Sequence, residues 1–186
     1  MDDPQQHVID DLLQAGLLQF GLFGDSVPFL ISLELLPSYP DILARLVDLA
    51  VQQVDMGRYD RLVCTVDAVP FGVAVSVKTG IPLVYSRGTN QSGVRDLVGA
   101  YDVGHPALLL CNVWAGDGYT LDLIDKARKV GLEIDTAVAL LDMRNMPVDA
   151  VLLRPILRFN ETVAHLAEIG RIPAGQAAAV QAWITG

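Results

Sequence analysis

Cysteine is nearly missing from this 186-residue chain. The two present, Cys64 and Cys111, lie inside apolar runs without CxxC spacing, so neither a disulfide framework nor a thiolate metal centre is indicated and buried thiols are expected. Basic residues are scarce too: 13 Lys and Arg face 22 Asp and Glu, giving a formal net charge of −9. With no basic tail to offset it, that charge repels polyanions, and no nucleic-acid partner is expected. Histidine is confined to His7, His105 and His165, scattered without a carboxylate or cysteine at ligand spacing, which fits solvent-facing roles. Long apolar runs are also lacking. Asp25, Glu34, Asp67 and Asp117 interrupt them before any reaches the roughly 18 residues of a membrane span. The opening Met-Asp-Asp-Pro-Gln-Gln has neither the basic start nor the apolar stretch of a signal peptide, so a cytoplasmic protein with no membrane partner is expected.

What the chain does have is apolar character: 52% of residues are apolar and mean hydropathy is +0.38. A flat apolar face buried against a second copy accounts for that excess, and a homodimer is expected. Residues 1–186 are expected to form a single domain, since this length supports one real core.

Val8, Ile9, Leu12, Leu13 and Leu17 recur at helical spacing, predicting a first helix that Gly16 and Gly21 bring to an end. Residues 28–35 (PFLISLEL) are predicted extended. Ser38, Pro40 and Asp41 form a helix start with a capping-box pattern, Ile42, Leu43, Leu46, Val47, Leu49 and Val54 give the apolar face, and the helix finishes near Met56-Gly57. Short apolar strands then alternate with helices: strand 62–66, helix 69–78, strand 83–85, strand 107–113, helix 120–130 closed by Gly131, and strand 134–141. Residues 88–103 are polar, either a mobile loop or a short excursion over the sheet edge. Ile156, Phe159, Val163, Leu166 and Ile169 make a helix face, Ile172-Pro173 breaks it, and an Ala-rich helix holding Trp183 closes the chain. The fold class is α/β, with a doubly wound, mainly parallel sheet flanked by helices.

In such a sheet, ligands bind at the carboxyl ends of strands where the strand order reverses. That directs attention to the loops at 67–70, 87–93 and 115–119. The run LLLCNVWAGDGYT at 108–120 reads as a buried strand, a glycine turn and a helix start, a layout whose backbone N–H groups can hold an anion. Gly116 and Gly118 permit the turn, whereas Asp117 repels phosphate unless a metal bridges them. Arg87 fits either a phosphate or base contact or a surface ion pair. Asp67 and Asp117 fit either metal ligation or a solvated turn. Trp114 and Tyr119 flank the turn and either stack on a ring or simply pack.

Three further stretches, PFLI at 28–31, TGIPLVYSR at 79–87 and RKVGLEIDTAVALLD at 128–142, complete a pattern. From about Leu17 onward the chain resembles the type I phosphoribosyltransferases, and their orotate phosphoribosyltransferase branch in particular. The resemblance implies a small hood of N-terminal strand and C-terminal helix over the sheet. It also implies a nucleotide or phosphosugar ligand, and for an active member a phosphoribosyl pyrophosphate donor, a nucleobase acceptor such as orotate, and magnesium. The family's diagnostic strand ends in two acids that hold the ribose hydroxyls, followed by a Thr-Thr-Gly-Gly-Ser turn that holds the 5′-phosphate. Here Cys111 and Asn112 stand for the acids, Ala115 and Gly116 for the threonines, Asp117 and Gly118 for the glycines and Tyr119 for the serine, with Thr120 continuing the helix. The pyrophosphate loop corresponds to residues 65–72, where Ala68 replaces a glycine between Asp67 and Val69. Of the family's basic loop only Arg87 matches, and residues 88–93 contain no lysine.

Each lost cation or gained acid beside a polyphosphate costs on the order of 1–4 kcal/mol. The expectation is a catalytically impaired member whose cleft, narrowed by Phe71, Trp114 and Tyr119, binds a small nucleotide-related ligand or a protein partner. The ligand-binding residues implied are Asn112, Ala115, Gly116, Asp117, Gly118, Tyr119 and Thr120, with Asp67, Ala68, Val69 and Arg87 beside them. No catalytic residue and no resident metal are assigned. An active transferase relying on Asp67, Arg87 and Asp117 is the alternative.

Overall fold

Residues 107–112 are buried without a break, and a strand hidden on both faces belongs in the middle of a sheet. A computed structural model describes residues 3–24, 26–116, 118–144 and 150–185 and places this run at the centre of six strands. In chain order the elements are α1 (Asp3–Gln14), β1 (Leu18–Phe23), β2 (Val27–Ile31), α2 (Pro40–Gln52), β3 (Arg61–Cys64), α3 (Val69–Thr79), β4 (Leu83–Ser86), α4 (Gly93–Asp96) and β5 (Leu97–Val98). There follow β6 (Pro106–Trp114), α5 (Gly118–Lys129), β7 (Glu133–Asp142), β8 (Leu152–Arg158), α6 (Phe159–Glu168) and α7 (Ala174–Thr185). Short 3-10 turns occupy Leu33–Ser38, Met56–Arg58 and Val66–Ala68.

The sheet runs β5-β4-β3-β6-β7-β8, parallel throughout except for β5, which is antiparallel to β4. From β3 the chain moves to β4 on one side and later returns to lay β6 on the other. The strand order therefore reverses between β3 and β6, and the carboxyl ends of these two strands are where such a sheet has its ligand crevice. Side chains alternate between the two faces. Leu62, Cys64, Leu108, Leu110, Val138 and Leu140 pack into a core shared with α1, α2 and α3, whereas Val63, Leu109, Cys111, Ala137 and Ala139 pack with Leu123, Ile124 and Ala127 of α5.

β1 and β2 form an antiparallel hairpin outside the main sheet. Phe29 meets Phe159 edge-on at 4.8 Å and Trp183 at 4.9 Å, and Gln176 Nε2 donates to Pro28 O at 2.6 Å. These contacts join the hairpin to α6 and α7, which is the small hood that the sequence comparison implies. No helix among the described residues is long and apolar enough to cross a membrane.

Several boundaries differ from the sequence expectation. The first helix ends at Gln14, and Gly21 lies inside β1, where only pairing with β2 makes LQFGLF a strand. The extended run stops at Ile31, because the following LELLPS winds into a 3-10 turn. Ser38 does not cap α2: Tyr39 holds the cap position without a side-chain bond, and Pro40 fixes the start through its own backbone angle. α2 finishes at Gln52, short of Met56-Gly57. Ile156 is buried on β8 rather than on α6, its spacing to Phe159 being coincidental with the helical repeat. Residues 88–103 make the edge excursion, through α4 and β5. Asp25 and Asp117 lie outside the described residues.

Candidate functional site

β6 outruns its neighbour β3. Cys64 is level with Leu110, so residues 111–114 continue past the end of β3 with β7 alone beside them. Alternation turns Cys111 beneath α5, where it is 1% exposed in an apolar core. Asn112 faces the other way, buried, and its Nδ2 donates to Asp67 O at 2.9 Å. That bond settles which end of the amide meets the loop and leaves Oδ1 buried without a partner among the described residues. Thr65 Oγ1 and Trp114 Nε1, at the ends of the same two strands, are likewise buried and unpartnered.

The turn after β3, Val66–Ala68, presents one charged side chain, the exposed Asp67. Ala68 is fully buried with its N–H bonded to Thr65 O, and half-buried Val69 already begins α3. Burial pushes the neighbouring Cys64 thiol up to about 12, with the Asp67 carboxylate adding to the shift. Cys64 therefore stays protonated at neutral pH, and neither cysteine forms a disulfide.

In the turn after β6, Ala115 is exposed, Gly116 takes a left-handed φ of +75°, Gly118 opens α5, and Thr120 is buried on its inner side. Tyr119 reaches back across the crevice, its hydroxyl accepting a hydrogen bond from the Val66 N–H at 3.4 Å. Trp114 and Phe71 do not narrow the cleft as expected: each is 1% exposed, Trp114 in the core under α5 and Phe71 in the core under α3. Packing explains both. Of the three aromatics only Tyr119 borders the crevice.

The third loop carries a network that the sequence did not suggest. Asp96 is completely buried, and it accepts hydrogen bonds from Ser86 Oγ at 2.6 Å and from Thr89 N and Oγ1, both at 2.7 Å. Lys126 of α5 stands 3.7 Å from the same carboxylate, donates to Thr89 O at 2.7 Å and pairs with Asp122. Burial pushes the Asp96 carboxyl up, but the bonds from Ser86 and Thr89, with Lys126 nearby, outweigh it and hold the group below its ordinary value. The Asp122 bond, against burial and with help from Asp96, raises Lys126. Residues 86–89 are thus tied to the body of the fold. Arg87 itself is exposed and contributes its N–H to Asp96 O. Ser86, Asp96 and Lys126 lie too far apart in sequence for any local spacing to reveal them.

At the end of β7, Asp142 is gripped by the Arg144 guanidinium through two bonds of 2.9 Å, which raises the Arg144 value and neutralises the carboxylate. Magnesium takes oxygen ligands in near-octahedral geometry. With Cys111 in the core and Asn112 tied to Asp67 O, the end of β6 offers it no carboxylate, and the described residues contain no cluster of three His, Cys, Asp or Glu suited to a metal. The described residues therefore form no magnesium site. His7 is exposed, while His105 and His165 are half-buried and bonded to Asp102 N and Gln6.

No family model matches the chain. Orotate phosphoribosyltransferase from Sulfolobus acidocaldarius is 28% identical over 137 residues, 70% of each chain. The structure of Leishmania donovani UMP synthase superposes with a TM-score of 0.83 at 22% identity, covering 99% of this chain and 42% of that one. The chain has the type I phosphoribosyltransferase fold and is orotate phosphoribosyltransferase-like. A Mycobacterium tuberculosis orotate phosphoribosyltransferase in complex with phosphoribosyl pyrophosphate shares this phosphoribosyltransferase fold at a TM-score of 0.68 and 13% identity, covering 86% of this chain and 98% of that one. The chain spans less than half the length of the Leishmania protein. On this phosphoribosyltransferase fold, Val66, Gly88 and Tyr119 meet at the switch point, while Ala68, Cys111 and Thr120 are withdrawn into the core.

Proposed function

We propose that this phosphoribosyltransferase-fold chain binds a small nucleotide-related ligand in the crevice between β3 and β6 and is impaired as a phosphoribosyl transferase. The observation that carries the reading is the end of β6, where a core thiol and a tethered amide stand in place of two acids. An amide and a thiol cannot supply the charge that positions ribose hydroxyls and metal together, and they weaken transition-state stabilisation accordingly. The exposed Asp67 and a basic loop without lysine act in the same direction. Purified protein supplied with magnesium, phosphoribosyl pyrophosphate and orotate is expected to show no turnover above the rate without enzyme. Turnover at ordinary enzyme rates would sink the proposal. Binding shows separately as a rise in melting temperature with nucleotides, because a ligand of the native state stabilises it by linkage.

A second reading, an active transferase, draws support from the 28% identity to orotate phosphoribosyltransferase and from the exposed positions of Asp67 and Arg87 beside the crevice. The turnover assay separates the two. As part of the same proposal, two copies of the chain pair through exposed apolar surface, to which Val73 and Val77 of α3 contribute.

A further inference from the structure

Three loops meet at one phenol. Tyr119 is the second residue of α5, yet its hydroxyl lies across the crevice on the Val66 N–H. A Cβ placed on Gly88 would lie 3.6 Å from that hydroxyl and 3.1 Å from Val66 Cγ1, so the turns after β3, β4 and β6 close on one another here. Gly88 has φ +72°, a backbone conformation that also disfavours any side chain at this point.

The three loops are not held equally. The turn after β4 is fixed by the buried Asp96 network, and the turn after β3 by the bonds from Asn112 to Asp67 O and from Ala68 N to Thr65 O. Tyr119 rests on one hydrogen bond of 3.4 Å, beyond the usual N–H···O range, and the residue is 38% exposed. At the same turn, Asn112, which bonds Asp67 O, and Thr65, which precedes Val66, keep Oδ1 and Oγ1 buried without partners among the described residues. A buried acceptor with no donor favours any rearrangement that supplies one.

We propose that Tyr119 is a self-occluding latch: its hydroxyl, on the Val66 N–H, bridges the turns after β3 and β6, and it swings out when a phosphorylated nucleoside enters and brings hydroxyl donors to Asn112 Oδ1. This rests on the reading of the crevice as a nucleotide-binding site. The phenol bridges the β3 and β6 turns, and its hydrogen bond is longer than those that hold the other two turns. The latch also determines which residue sets the affinity, since a binding-competent state that is populated a fifth of the time weakens apparent affinity about fivefold.

Uridine monophosphate is a suitable probe, titrated calorimetrically into the wild type, Tyr119→Phe and Tyr119→Ala, with amide hydrogen exchange at Val66 followed in parallel. Tyr119→Phe keeps the ring and deletes the hydroxyl, so Val66 should exchange faster and the dissociation constant should fall about fivefold. Tyr119→Ala should fall at least as far. Equal dissociation constants in all three proteins would overturn the latch while leaving the binding site in place. Unchanged Val66 exchange in Tyr119→Phe would overturn it whatever the affinities. Absence of binding by all three at millimolar ligand, with Val66 exchange accelerated, would overturn the nucleotide reading, and with it the gate.

Discussion

Asp96 is a fully buried carboxylate whose bonds come from Ser86 and from both donors of Thr89, with the Lys126 ammonium 3.7 Å away as an ion-pair partner. Removing one partner of such an arrangement leaves the others desolvated and unsatisfied, a loss of roughly 3–5 kcal/mol. Asp96→Asn preserves the shape, discards the charge and sets an amide donor against existing donors, so urea denaturation should show a loss of about 3 kcal/mol. The pH dependence has a definite sign. The native carboxyl sits below its ordinary value of 3.8, so the unfolded chain binds the proton more readily. The stabilisation is complete above that ordinary value and is lost as pH falls through the lowered native one. Wild type should lose stability between about pH 5 and the lowered value, while Asp96→Asn, followed by circular dichroism, should show a shallower decline there.

At the level of elements, β6 organises the molecule because it lies between β3 and β7 and carries side chains into both cores. Leu110 is fully buried on the α3 side. Leu110→Ala should lower unfolding free energy by about 3 kcal/mol, within the range for a large core deletion, read as a shift in urea midpoint with unchanged slope. The same burial explains why β3, β4, β6 and β7 were legible in the sequence: a buried strand is an apolar run, and Gly131 marked the end of α5. β1 and β8 were harder to see. Each acquires its strand character from a partner, β2 or β7, and neither carries a pattern that distinguishes it from loop or helix. The positions of Cys111 and Asn112 were likewise plain from the strand, but their fates on opposite faces depended on alternation that only the sheet makes explicit. The Asp96 network stayed hidden because it joins Ser86, Thr89 and Lys126 across folded distance, with no repeat or motif linking them.

For the molecule as a whole, the net charge of −9 and the exposed valines of α3 act against each other. Like charge opposes self-association at long range, while apolar contact favours it once the surfaces meet. The proposed pairing predicts a sedimenting mass of twice 20.1 kDa at micromolar concentration, persisting when salt is raised. A mass of one chain throughout would refute it. The manner of pairing is constrained by the two margins of the sheet. One is β5, only two residues long, and the other is β8, where Ile156 O already accepts a hydrogen bond of 2.8 Å from Gln5 Nε2 of α1. Among the described residues neither margin of the main sheet is a long uninterrupted edge, which disfavours strand-by-strand addition of copies there. Fibril growth through the main sheet is disfavoured accordingly, and the proposed pairing falls to helical faces such as the exposed valines of α3.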